Sequence, residues 1–310
     1  MNILQTLLPL LLLVALGTGL ARIRFLGTSF MADLNKLAFW VALPALLFRS
    51  IVHADKPGPQ TFHLLGALLC ATLLAAGAGW LVAMLLRLPL ASRGTLAQSA
   101  FRGNLAYIGI PVLSYAFAGT LAERESFATG VIVMSLLLAL YNILAVLVLQ
   151  ASRREASQPF FRTAARAILT NPLLISGLAG LPFALTHTRL PLFIDRALEA
   201  LAGSAVPLAL LCIGGSLAHA TLGRHLNGIV AAALLKTAAL PLITLLLIPV
   251  FHLHPAEIRI ALVVAACPTA AAAYVMARQM DGDEPLASGS IVLSTILSAL
   301  SLPLALLASQ

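Results

Sequence analysis

Residues 101–113, FRGNLAYIGIPVL, place Arg102, Gly103, Asn104, Gly109 and Pro111 inside a stretch otherwise apolar enough to cross a membrane. Proline removes a backbone donor and clashes with the carbonyl four residues back, and glycine relaxes the backbone. The expected result is a helix that stops near Asn104 and restarts near Pro111. Backbone groups freed by such a break are tolerated at membrane depth only where protein or a water-filled cavity surrounds them. The break is therefore the first candidate for a site.

The surrounding chain fits a bilayer. Its 310 residues are 60% hydrophobic and 10% charged, with a mean hydropathy of +1.00, so most of it must face lipid or the inside of a helical bundle. The net charge of +8 is assigned to loops beside anionic headgroups of membrane lipid, not to a nucleic-acid partner. The first twenty residues lack a basic start and run into Arg22 and Arg24, which reads as a retained span and not a cleaved signal. Cys70, Cys212 and Cys267 are isolated, so neither a disulfide framework nor a zinc site is expected. His252 and His254 share a short loop with no further ligands, and no metal or cofactor is expected.

Apolar runs predict ten spans, near 3–21, 34–53, 63–86, 94–119, 126–149, 168–186, 198–219, 226–250, 256–280 and 286–308. The longest polar connection, at 151–167, carries Arg153, Arg154, Arg162 and Arg166 and reads as a basic cytoplasmic linker between residues 1–150 and 168–310. Alternating the loops puts 11 basic residues on one side and 5 on the other, with Arg49, Arg102 and Lys236 inside spans, out of 19 in all. Cytoplasmic loops collect Lys and Arg, so both termini are expected on the periplasmic or extracellular side of the cell inner membrane.

The two parts resemble each other. Gly130, Ile132, Val133, Ser135 and Leu138 match Gly289, Ile291, Val292, Ser294 and Leu297 at a constant offset of 159. Pro44 pairs with Pro207, and Pro111 with Pro268. Five spans in each part make the second copy enter the membrane upside down, the inverted repeat of many secondary transporters.

Depth brings the polar residues together. At about 1.5 Å per residue from the start of its span, Asn104 lies roughly 15 Å in, near the midplane. Pro268 and Lys236 reach similar depth. If Pro111 and Pro268 occupy the first positions of half-helices, both new N-termini aim free donors and partial positive charge at one point. All 11 acids fall in loops or at span ends. Half-helix N-termini with Lys236 and Arg102 and no buried carboxylate suit an anion, so a carboxylate-bearing substrate is expected. Arg102 and Lys236 have a second reading, as caps on half-helix carbonyls or snorkelling cations, and Asn104 as a bond to a freed carbonyl. Arg49, near a span end, reads as snorkelling. Pro44 and Pro207 read as structural kinks, and Ser294, Thr295 and Ser298 as hydrogen-bonding across helices.

Five motifs carry a family likeness: NLAYIGIPVL, NPLLISGLAGL from Asn171, AVPLALLCIGGSLA ending at Ala218, KTAALP from Lys236 and CPTAAAAYVMA from Cys267. With the closing SIVLSTILSALSLPLALL, they resemble the auxin efflux carrier family over nearly the whole chain. The resemblance implies an all-α polytopic membrane protein of ten transmembrane helices in two inverted five-helix repeats. The fourth and ninth are broken and cross, as in the bile-acid symporter and sodium/proton antiporter fold. It further implies a homodimer whose first, second, sixth and seventh helices form a scaffold, with the others in an elevator-like transport unit. Family members carry organic acids, auxin in plants and malate or malonate in bacteria, and the short linker here looks bacterial.

Carried over residue by residue, Asn104 and Pro111 take the family's first crossover positions, and Gly103 and Tyr107 beside them are added to the expected substrate site. Cys267, Pro268 and Thr269 supply the second, with Lys236 beside them and Arg102 as a charge partner. The second crossover, PTAAAA, is almost without polar side chains. The leading expectation is a secondary transporter of small organic anions. The alternative is a sodium-coupled symporter of the bile-acid type, or a cation/proton antiporter, on the same fold. An enzyme is not expected: no HExxH, no buried Asp pair and no Ser with a nearby His at membrane depth is present.

Overall fold

Three prolines mark where helices of this chain widen. In the computed structural model, which describes residues 3–25, 27–53, 59–118, 123–153, 169–218 and 225–310, three π turns occur at Ala38–Ala42, Leu105–Gly109 and Leu235–Ala239. Each ends two residues ahead of a proline, Pro44, Pro111 and Pro241 respectively. A proline in a continuous α-helix leaves one carbonyl unbonded and in collision with its ring. Shifting the preceding turn to a wider bonding pattern absorbs both defects without ending the helix.

The helices are α1 (Ile3–Arg22), α2 (Thr28–Leu37), α3 (Leu43–Val52), α4 (Pro59–Leu85), α5 (Leu90–Phe101), α6 (Ile110–Phe117) and α7 (Glu123–Ala151). They continue with α8 (Pro172–Thr186), α9 (Leu192–Ala218), α10 (Leu226–Leu234), α11 (Leu240–Phe251), α12 (Pro255–Ala266), α13 (Ala272–Gln279) and α14 (Glu284–Ala308). Among the described residues, six stretches are long and apolar enough to cross a membrane: Ser29–Val52, Gln60–Leu85, Glu125–Ala151, Leu192–Gly215, Leu226–Phe251 and Glu284–Ala308. Leu85, Phe193, Leu246 and Leu300 are among many large apolar side chains left exposed, which suits a polytopic protein whose outer surface meets lipid. Most of the expected 151–167 linker falls outside the described residues.

Two helices are interrupted, but not where the prolines alone suggested. The first α-helix stops at Phe101, and helical backbone resumes at Leu105. Pro111 does not restart it, because the π turn at Leu105–Gly109 already accommodates that ring. The second stops at Ala266 and resumes at Ala272. Pro268 therefore lies in the extended break, not at the first position of a half-helix, and its predecessor Cys267 is held at φ −56°, ψ 140°, as expected for a residue ahead of proline.

The chain forms two compact units, each drawn from early and late sequence. Unit one is Met1–Thr61, Ala106–Leu136 and Leu169–His219. There α1 packs on α9, and α3 on α8 and α9. The first contact is close because Gly17 and Gly214 face the opposing backbone: a Cβ on Gly214 would stand 2.7 Å from the Thr18 nitrogen. Thr18 Oγ1 donates to the Gly214 carbonyl at 2.9 Å. Small residues and hydroxyls are what allow helices to associate where lipid offers no hydrophobic drive. Arg49 does not snorkel. Its Nε donates to Asp195 Oδ1 at 2.9 Å, with Glu199 3.2 Å from its Nη2, because Asp195 in the first turn of α9 and Glu199 four residues on face α3.

Unit two is Phe62–Leu105, Leu137–Ile168 and Ala220–Gln310. Ala83, Leu88, Leu96, Ile229, Ala232 and Leu286 make an apolar cluster joining α4, α5, α10 and α14. Asp283 caps α14, accepting from the Leu286 N–H at 2.9 Å and from Ser92 Oγ at 2.6 Å. Its own N–H donates to Thr95 Oγ1 at 2.9 Å. Asp283→Ala removes a cap and a tie to α5 together, so it should lower the melting temperature in detergent by roughly 3–6 °C. Asp283→Asn, which keeps an oxygen for the cap, should recover most of that loss.

Candidate functional site

Within unit two the two breaks lie side by side. Gly103 and Thr269 form an isolated antiparallel bridge. The Asn104 N–H donates to the Pro268 carbonyl at 2.7 Å, and the Ala270 N–H to the Arg102 carbonyl at 2.9 Å. A Cβ at Gly103 would come 3.1 Å from Leu105 Cδ2 and 3.5 Å from both Lys236 Cε and the Val264 carbonyl. Side chains complete the lattice. Thr269 N–H donates to Ser294 Oγ at 3.0 Å, Thr269 Oγ1 to the Ser99 carbonyl at 2.8 Å, and Gln98 Nε2 to the Ala273 carbonyl at 2.9 Å.

The N–H groups of Asn104, Thr269 and Ala270, in the breaks ahead of the resumed helices, are bonded within the crossing itself, since buried backbone donors at this depth have no water to turn to. Positive side-chain charge stands beside them. Arg102 is 5% exposed and donates through Nη2 to Asn142 Oδ1, with Nη1 2.8 Å from Met276 Sδ. Lys236 is fully buried and donates through Nζ to the Ala265 carbonyl at 2.6 Å. Among the described residues, neither cation lies within ion-pair distance of a carboxylate. Cys267 is buried, its Sγ 3.2 Å from the Val263 carbonyl.

Gly103, Asn104, Cys267, Pro268, Thr269, Lys236 and Arg102 thus assemble in one unit. Tyr107 and Pro111 belong to unit one, where Tyr107 donates to Asn35 Oδ1 at 2.8 Å and stacks on Phe39 with centroids 6.5 Å apart. Pro111 is buried as the second residue of α6. Of the hydroxyls on α14, Ser294 reaches the crossing, whereas Thr295 and Ser298 donate within their own helix.

Several residues went unnoticed in the sequence. Asn142 holds the Arg102 guanidinium, Ser301 donates to the Ala266 carbonyl at 3.0 Å, and Tyr141 packs on Phe101 with centroids 5.7 Å apart. Gln98 Oε1 and Ser99 Oγ are buried without a hydrogen-bond partner among the described residues. A lone Asn inside the apolar run YNILAVLVL was a legible signal for the first. The others look like ordinary helix residues until the breaks are placed.

A family model described as membrane transport protein matches residues 2–306. The chain belongs to that family. It resembles an "Uncharacterized transporter" of Methanothermobacter thermautotrophicus, 29% identical over 308 residues, covering 97% of this chain and 96% of the relative. It also resembles a "Putative malonate transporter" of Rhizobium meliloti, 26% identical over 303 residues, covering 94% and 91% respectively. The auxin efflux carrier likeness holds along the whole chain. The protein is a membrane transporter and not an enzyme.

Proposed function

We propose that this transporter carries small organic anions bearing a carboxylate, with malonate and malate as first candidates. The observation that supports this most is the pair of buried cations, Arg102 and Lys236, in a crossing where, among the described residues, neither has a carboxylate partner. A low-dielectric site with unbalanced positive charge favours an anion and opposes a cation. The relative printed as a malonate transporter points the same way.

In this reading Gly103, Asn104, Cys267, Pro268 and Thr269 form the substrate platform, and Lys236 and Arg102 charge it from behind. Transport proceeds by alternating access, with elevator-type travel of the unit holding the crossing. That unit takes Phe62–Leu105 and Leu137–Ile168 with Ala220–Gln310, while Ala106–Leu136 falls in unit one; the inverted repeat of ten spans is proposed from the sequence. A homodimer in the cell inner membrane, with both termini outside, completes the proposal.

The test is uptake and charge movement in proteoliposomes challenged with mono- and dicarboxylates, with and without sodium and a pH gradient. Saturable uptake of one carboxylate class supports the reading. A response to sodium alone, with no carboxylate effect, overturns it in favour of a cation transporter or sodium symporter of the same fold.

A further inference from the structure

The carbonyl end of α12 lies beside the crossing, and it has an unusual occupant. The last carbonyls of any helix lack intrahelical partners and carry the negative end of its dipole. Where that end is buried within a membrane protein, something positive or a set of donors must meet it. Here the Val263 carbonyl accepts from the Cys267 N–H at 3.1 Å and the Ala266 carbonyl from Ser301 Oγ at 3.0 Å. Between them the Ala265 carbonyl accepts from Lys236 Nζ at 2.6 Å. The ammonium belongs to a fully buried side chain, delivered by the π turn Leu235–Ala239. Its stem passes the first break at Gly103, where an added Cβ would stand 3.5 Å from Lys236 Cε, in van der Waals contact.

An ammonium and a small alkali cation are both compact single positive charges, and carbonyl and hydroxyl oxygens solvate both. We propose that Lys236 is a tethered cation, occupying by covalent attachment the place at the α12 carbonyl end where a dissociable sodium ion would otherwise be needed. The crossing is then held together, and charged for its substrate, without sodium. An anion carried there travels with a counter-charge that never dissociates, so uptake is independent of the sodium gradient. This deepens the organic-anion reading and rests on it only for the last consequence.

The test is a melting curve of the purified full-length protein, with no substrate, in sodium chloride against choline chloride at equal ionic strength. Wild type should melt at the same temperature in both. Lys236→Met keeps the length and apolar stem of the side chain while vacating the charge. It should gain a rise of about 3 °C or more in sodium or lithium, the signature of a cation that binds the folded state. Sodium stabilisation of wild type overturns the proposal, and so does indifference of Lys236→Met to both ions. If Lys236→Met is too unstable to purify in choline, recovery only with sodium or lithium present throughout counts in favour. Loss in every salt, repeated with Lys236→Gln, counts against. Because no substrate enters these measurements, a failure of carboxylate uptake in proteoliposomes refutes the transport reading separately.

Discussion

Asn104→Ala should reduce carboxylate uptake in proteoliposomes by about 100-fold while leaving the melting temperature within about 2 °C of wild type. The two effects separate because Asn104 has two parts. Its backbone N–H, bonded to the Pro268 carbonyl at 2.7 Å, holds the breaks together, and alanine supplies the same N–H. Its side-chain amide is what the substrate would lose. A hydrogen bond to a charged group is worth about 1.5–3 kcal/mol, which sets the size of the effect. Asn104→Asp sharpens the measurement. It is almost the same shape, yet it adds a negative charge at the crossing, so an anion carrier should lose uptake at least as completely. Undiminished carboxylate uptake in Asn104→Asp would contradict the anion reading, and normal uptake in Asn104→Ala would remove this residue from the site.

The largest loss of stability should come from Gly214→Ala. A methyl group there points at backbone and not at a flexible side chain: Thr18 N would stand 2.7 Å away, with the Val14 carbonyl closer still. Helices α1 and α9 would have to separate, and the bond from Thr18 Oγ1 to the Gly214 carbonyl would stretch with them. Overpacking of this kind costs about 3 kcal/mol, or roughly 6–12 °C of melting temperature. Gly17→Ala should behave alike, since its Cβ would come 2.9 Å from Leu211 Cα. Gly19→Ala, two positions along α1, meets nothing within 4 Å and should be neutral or slightly stabilising through helix propensity. Equal melting temperatures for Gly19→Ala and Gly214→Ala would mean that α1 and α9 do not pack as described.

Much of the molecule was legible in its residues because the relevant physics is local. A chain that is 60% hydrophobic and 10% charged has no stable state in water, so the membrane class followed from composition. The two interruptions were legible because Gly103 and Pro268 act on their own backbone. Even so, the exact restart was misjudged at Pro111. Local rules state that a proline disturbs a helix, but not whether a π turn will absorb it.

What the tertiary structure alone decided is what the breaks do once made. Asn104 and Pro268 are far apart in sequence, and nothing in either segment specifies that one N–H will meet the other's carbonyl. The same holds for the two cations. Depth counting placed Arg102 and Lys236 near the midplane, but their partners, Asn142 on α7 and Ala265 at the end of α12, depend on which helices are neighbours and how each is rotated. Helical periodicity sets which face of a helix a residue occupies, and only packing against other helices sets what that face meets. Arg49 shows the same limit: a cation near a span end satisfies the rule for snorkelling until α9 brings Asp195 to its side. The amino-acid sequence thus determined that the chain enters the membrane and where its helices fail. Long-range packing determined that those failures join into one polar, positively charged crossing, because burial leaves their hydrogen-bonding groups no partner but each other.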